Sequence, residues 1–230
     1  MTMKLKRGLI VSCQACKGEP LYQYNVMPAM AYAAVCGGAV GIRALCRDIA
    51  AIKQTVAVPV IGLYKYKRPE SEVYITPTRQ EAEALIETGC EVIALDATER
   101  PRPNGETLEQ LVAYIRKHSN AELMADVATL SQAVQAQELG FDYVSTTLRG
   151  YTQDTAEAVL PDIRFMAEVR EALSTTKMVA EGGIWEAGQL AEISKLDPYA
   201  VVIGTAITRP KLITERFNQV LTLSRETVDV

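Results

Sequence analysis

Eight short runs of β-branched and aliphatic residues recur along the chain, each followed by a longer segment with helical apolar spacing. This alternation constrains the fold more than any other feature. The strand-like runs lie at 8–13, 40–43, 60–63, 92–95, 123–126, 143–145, 178–180 and 200–203. The helix-patterned stretches lie near 26–36, 46–55, 78–88, 107–118, 129–138, 160–173, 186–195 and 209–225. Strands separated by helix-length crossovers pair in parallel. Their uninterrupted apolar character fits parallel strands covered on both faces. Eight such units make a closed (β/α)8 barrel, one domain over residues 1–230. The competing arrangement, an open doubly wound sheet, places its ligand at a switch point, and no GxGxxG follows the first strand.

The punctuation agrees with this register. Gly89, Gly140 and the Gly37-Gly38 pair stand where helices end before strands, positions that favour a left-handed residue. Thr78 and Thr129 are predicted N-caps, the first with Glu81 three residues on.

Composition excludes several classes of function. Twenty-four Lys and Arg against 28 Asp and Glu give a net charge of −4, and only three Phe and one Trp are present. Neither a basic nucleic-acid stripe nor a base-stacking platform is expected. The longest apolar runs, about eight residues, are too short for a bilayer helix. Ser12, Gln14 and Lys17 interrupt the apolar run before it makes a signal-peptide core, so a cytoplasmic protein is expected. Cys13 and Cys16 have CxxC spacing but no second pair or zinc-spaced His, which predicts plain reduced thiols. The single histidine, His118, falls in the polar tail of a helix beside Arg116 and Lys117. Histidine triads, HExxH zinc sites and His-carboxylate relays are thereby nearly excluded.

In such a barrel the chemistry sits on the loops after the strands. The polar residues there are Ser12, Cys13 and Gln14; Arg43; Lys65, Lys67 and Arg68; Asp96 and Thr98; Asp126; Thr146 and Thr147; Glu181, Gly182 and Gly183; Gly204 and Thr205. Capping and strand-end solvation also call for polar groups, but eight such ends in a row are harder to attribute to that alone. The glycine turns after strands seven and eight let backbone N–H groups approach an anion, with Arg209 as a charge-assisted partner. Gly182, Gly183, Gly204 and Thr205 are therefore the predicted phosphate site, although tight turns alone would also favour glycine. Lys65 lies two residues past Leu63 and so keeps its strand face. To accept a proton near neutral pH its pKa must fall by about 3 units from ~10.4. Lys67 shares that face if extension continues, and is its rival. Glu181, after an apolar strand and before two glycines, is the second acid–base candidate.

At these residues the chain resembles the bacterial N-acetylmannosamine-6-phosphate 2-epimerase family. The resemblance is carried by Leu9-Ile-Val-Ser-Cys-Gln14, Ile42-Arg43, Pro59-Val-Ile-Gly-Leu-Tyr-Lys65, Tyr74-Ile-Thr-Pro-Thr78 and Ala94-Leu-Asp-Ala-Thr98. It continues through Arg100-Pro-Arg-Pro103, Met124-Ala-Asp126, Ser145-Thr-Thr-Leu148, Gly150-Tyr-Thr152, Ala180-Glu-Gly182 and Ala206-Ile-Thr-Arg-Pro210. The resemblance implies a TIM barrel of the phosphate-binding type that inverts C2 of an N-acetylhexosamine 6-phosphate in sialic acid breakdown, without cofactor or metal. It further implies Lys65 and Glu181 as the catalytic pair, and Gln14, Arg43, Asp126 and Arg209 around the sugar, to which the strand-end reading adds Thr147. The implied partner is a small-molecule sugar phosphate, and the implied assembly a homodimer. Tyr66, Arg149 and Gly183 depart from the family's usual pattern. Two other readings use the same residues: Schiff-base chemistry at a barrel lysine, and a barrel that binds sugar phosphate only as a sensor.

Overall fold

A computed structural model describes residues 4–226; residues 1–3 and 227–230, at the two ends of the expected domain, lie outside the described residues. The elements run β1 (Gly8–Cys13), α1 (Met27–Cys36), β2 (Gly41–Leu45), α2 (Cys46–Thr55), β3 (Val60–Leu63), α3 (Arg79–Thr88), β4 (Val92–Asp96), α4 (Leu108–His118) and β5 (Glu122–Asp126). They continue α5 (Leu130–Glu138), β6 (Tyr143–Ser145), α6 (Ile163–Ala172), β7 (Lys177–Glu181), α7 (Ala187–Ser194), β8 (Ala200–Ile203), α8 (Thr205–Thr208) and α9 (Pro210–Glu226). Each strand pairs in parallel with the next and β8 pairs with β1, so the sheet closes. The expected (β/α)8 barrel is the observed fold.

Four strands begin and end where the sequence places them. Three others run further at their C-terminal ends, to Leu45, Asp96 and Glu181, the last two read from sequence as loop residues, because ladder partners continue beside them, Leu63, Asp126 and Val202 respectively. The short α8 carries no periodic signal of its own. Gly89 ends α3 with φ +64°, and the Thr129 hydroxyl accepts from the Gln132 amide at the start of α5.

The barrel has two apolar layers. Inside lie Ile10, Ile61, Leu63, Val92, Ala94, Met124, Tyr143, Val179, Ala200 and Val202. Between sheet and helices lie Val11, Cys13, Ile42, Ala44, Ile93, Leu95, Leu123, Ala125, Val144, Met178, Ala180 and Val201. Successive strand residues alternate between these layers. The same parity carries Ser12, Arg43, Asp126, Ser145 and Glu181 inward, and Cys13 outward. At the N-terminal end Leu5 seals the barrel: its N–H donates to the Tyr143 hydroxyl at 3.2 Å, and its carbonyl accepts from Tyr199 Oη at 2.8 Å.

His118 sits exposed at the last turn of α4, stacked on Tyr114, as the sequence suggests. The five cysteines are unbridged, and burial pushes the Cys13 thiol up to about 12, the opposite of an activated thiolate. Among the described residues no helix is long and apolar enough to cross a membrane, and no cluster of His, Cys, Asp or Glu is placed to hold a metal.

Candidate active site

Lys65 is held by an extension of β3. Beyond Leu63 the chain pairs antiparallel with the segment returning toward α3: Thr76 N–H donates to Tyr64 O at 2.8 Å, and Tyr66 N–H to Tyr74 O at 2.9 Å. This pairing keeps Lys65 in register with Leu63 and places it on a cavity of about 350 Å³ at the C-terminal ends of the strands. Lys67 is exposed, its amine 5.7 Å from the Tyr74 ring centroid, and does not line the cavity. Of the two lysines, Lys65 is the one on the cavity wall.

The same cavity meets a buried charged network. Arg43 is 1% exposed and grips Asp126 with both arms, Nη1 to Oδ1 at 3.0 Å and Nη2 to Oδ2 at 2.6 Å. Its Nη1 also lies 3.1 Å from Glu181 Oε2. The Thr147 hydroxyl reaches both carboxylates, 2.8 Å from Asp126 Oδ1 and 2.9 Å from Glu181 Oε2. Ser145 Oγ completes the set, 2.8 Å from Thr147 Oγ1. Behind it the Thr146 hydroxyl staples the Glu181 backbone, donating to its carbonyl and accepting from its N–H.

The pKa directions follow from this geometry. Burial lowers Lys65; the charges of Arg43 and Arg209 push the same way, while Cys16 and Glu181 oppose them. Among the described residues no carboxylate is in ion-pair contact with its amine, because Asp126 and Glu181 are both engaged by Arg43. Glu181 is raised, first by burial and then by the charge of Asp126; Arg43, Thr147 and Lys65 only partly offset this. Burial, with Asp96 and Asp126, holds Tyr74 up at about 12, a protonated phenol on the cavity wall.

The two glycine turns face this network. Gly183 has φ +69°, and a Cβ added there would meet Leu160 Cβ at 2.3 Å, so no side chain fits. A Cβ on Gly204 would come within 3.1 Å of Ser12 Cβ. Gly182, Gly183, Gly204 and Thr205 all line the cavity, together with Gln14, Arg43, Thr147 and Arg209. Asp126 does not: fully buried, it meets the cavity only through Arg43 and Thr147. Among the described residues three buried side-chain polar atoms lack a partner, and two of them, Gln14 Oε1 and Arg43 Nε, belong to cavity-lining residues.

Sequence reasoning missed Tyr74, Tyr151, Trp185, Thr208 and Leu212, which also line the cavity. The inward parity of Ser145 is the one signal that identifies it beforehand. Of the strand-end residues, Asp96 and Thr98 turn to Arg100, and Arg68 pairs with Glu81. The three departures have local explanations. Arg149 pairs with Asp162 and stacks on Phe165, Tyr66 carries the Arg68 guanidinium on its ring, and Gly183 makes room for Leu160.

A (β/α)8 barrel with a desolvated amine, a raised carboxyl and two glycine turns around one cavity belongs to the class of acid–base barrel enzymes. A family model described as "Putative N-acetylmannosamine-6-phosphate epimerase" matches residues 27–222. The chain belongs to this family. It is 53% identical over 219 residues to a relative from Staphylococcus carnosus (strain TM300), covering 94% of this chain and 97% of that one. A relative from Staphylococcus aureus (strain JH9) is 50% identical over 221 residues, with 94% and 99% covered. Both are named "Putative N-acetylmannosamine-6-phosphate 2-epimerase". The solved N-acetylmannosamine-6-phosphate 2-epimerase from Clostridium perfringens superposes with a TM-score of 0.90 at 43% identity, covering 94% of each chain.

Proposed function

We propose that this chain interconverts N-acetylmannosamine 6-phosphate and N-acetylglucosamine 6-phosphate by removing and returning the C2 proton. The observation that carries the reading is the Lys65 amine, lowered by burial and without a carboxylate partner, in the same cavity as Glu181 and the glycine turns.

The C2 proton is acidic only beside a carbonyl, so the pyranose first opens to its aldehyde. Glu181, its pKa raised by burial, is suited to exchange a proton with the ring or O1 oxygen. Neutral Lys65 then takes the C2 proton, and the electron pair moves onto O1. A donor already fixed beside the cavity stabilises that enolate oxygen; the unpartnered Nε of Arg43 is the group at hand. Among the described residues Lys65 is the only lysine lining the cavity, which supports its returning the proton to the opposite face once the open-chain intermediate turns. The phosphate is assigned to Gly182, Gly183, Gly204 and Thr205 with Arg209, and the sugar to Gln14, Arg43 and Thr147, with Asp126 acting through Arg43.

The corresponding physiological reading is a cytoplasmic enzyme of sialic acid breakdown. We further read it as a homodimer; Phe217 and Leu221 of α9, 69% and 58% exposed, support a partner on that helix. Proton NMR of either phosphorylated sugar with the protein in deuterium oxide tests the chemistry. The expected result is the epimer carrying deuterium at C2. A borohydride-trapped adduct on Lys65 would instead mean Schiff-base chemistry, and binding without turnover would mean a sensor.

A further inference from the structure

Arg209 lines the substrate cavity, yet its observed partner is a protein carboxylate: Nη2 lies 3.0 Å from Oε1 of Glu19, in the loop between β1 and α1. Glu19 does not line that cavity. It lines an adjoining one of about 200 Å³, whose wall Arg209 shares. Glu19 is itself held on every side: its Oε2 accepts from Cys16 N–H at 2.6 Å, its own N–H donates to Cys16 O at 2.9 Å, and its carbonyl accepts from Tyr22 N–H at 3.0 Å. A carboxylate tied to the backbone in this way is a fixed point, whereas a half-buried arginine on its own is not. Among the described residues the Arg209 guanidinium has no polar partner besides this ion pair, so most of its N–H fork remains available.

We propose that Glu19 is a positioning residue: it holds one arm of Arg209 from behind, so that the rest of the guanidinium stands preset for the phosphate of the substrate. This rests on the sugar-phosphate reading above. The carboxylate does not need to leave when the dianion arrives, because one guanidinium can serve two anions on different edges. Preorganisation of this kind acts on binding, since the arginine is equally engaged before and during proton transfer. The β1–α1 loop thereby joins the glycine turns as part of the phosphate site without touching substrate.

The test is a double-mutant cycle of Glu19→Gln and Arg209→Met, read by steady-state kinetics with N-acetylmannosamine 6-phosphate and by calorimetry with inorganic phosphate. Glu19→Gln is expected to raise KM and the phosphate Kd about tenfold while kcat changes much less. In the Arg209→Met background the same substitution is expected to add less than about twofold to either. Glu19→Asp, which keeps the charge, is expected to recover part of the loss. If Glu19→Gln costs as much without Arg209 as with it, or lowers kcat and leaves KM and the phosphate Kd alone, the proposal is overturned. The calorimetric arm needs no turnover. A wild-type protein that binds phosphate with the expected coupling but epimerises nothing would therefore count against the assigned reaction and not against Glu19.

Discussion

Two walls of one cavity treat buried charge in opposite ways. Around β2, β5 and β7, Arg43, Asp126 and Glu181 are packed within ion-pair distance, and the Thr147 and Ser145 hydroxyls lie within hydrogen-bond distance of the carboxylates. On the side of β3, Lys65 is half-buried with no carboxylate against its amine. The difference shows how a protein lowers a lysine pKa with two carboxylates close by. A guanidinium is always charged and takes carboxylates two N–H groups at a time, so Arg43 engages both and leaves the amine desolvated but uncompensated. The positive charge of Arg43 then lowers Lys65 further. One side is a hydrogen-bonded ion network, and on the other stands an uncompensated amine.

The most severe break is on the lysine side. Lys65→Met is expected to cut kcat by about 10⁴-fold and abolish C2 exchange, measured by NMR. It is also expected to raise the melting temperature by a few degrees, because a desolvated amine is a cost to the fold. The sign follows from linkage. Between Lys65's lowered pKa and that of a free lysine, the unfolded chain binds a proton that the folded one does not, so wild-type stability falls as pH falls through that window. The advantage of the methionine variant grows in the same direction, and calorimetric melts across pH check it.

Asp126→Asn breaks the opposite wall. Leaving Arg43 without its bidentate partner is expected to cost ~3–5 kcal/mol of stability in urea unfolding. It also removes a charge that raises Glu181 and leaves Arg43 more fully to it, so the limb of the pH–rate profile that Glu181 governs is expected at lower pH. Gly183→Ala affects neither wall but pushes on Leu160. It is expected to cost ~1–3 kcal/mol and to raise KM for the phosphorylated sugar more than it lowers kcat. Lys67→Ala is expected to change kcat/KM less than about twofold, since its amine rests over Tyr74 outside the cavity.

The fold was legible because each strand carries its own apolar run, and the period of two assigns a face to every residue from one correct boundary. That is why Arg43, Lys65 and Glu181 could be picked out at strand ends. What lay beyond reach depends on residues distant in the chain. The antiparallel return of 74–76 that fixes Lys65, the Leu160 contact that demands Gly183, and the pairing of Arg209 with Glu19 are each closed by folding and leave no local pattern. Strand ends such as Asp96 look the same in sequence as Glu181, but a nearby arginine, Arg100, draws Asp96 into a loop brace.

The contrast between the two walls comes down to the protonation of one amine. A carbon-13 NMR titration of protein labelled at lysine Cε, with Lys65 assigned by its absence from the Lys65→Met spectrum, reads it directly. Lys65 is expected to titrate below an ordinary lysine, and to move back toward it in Arg43→Met. A Lys65 resonance that titrates together with the surface lysines would contradict a neutral amine as the base.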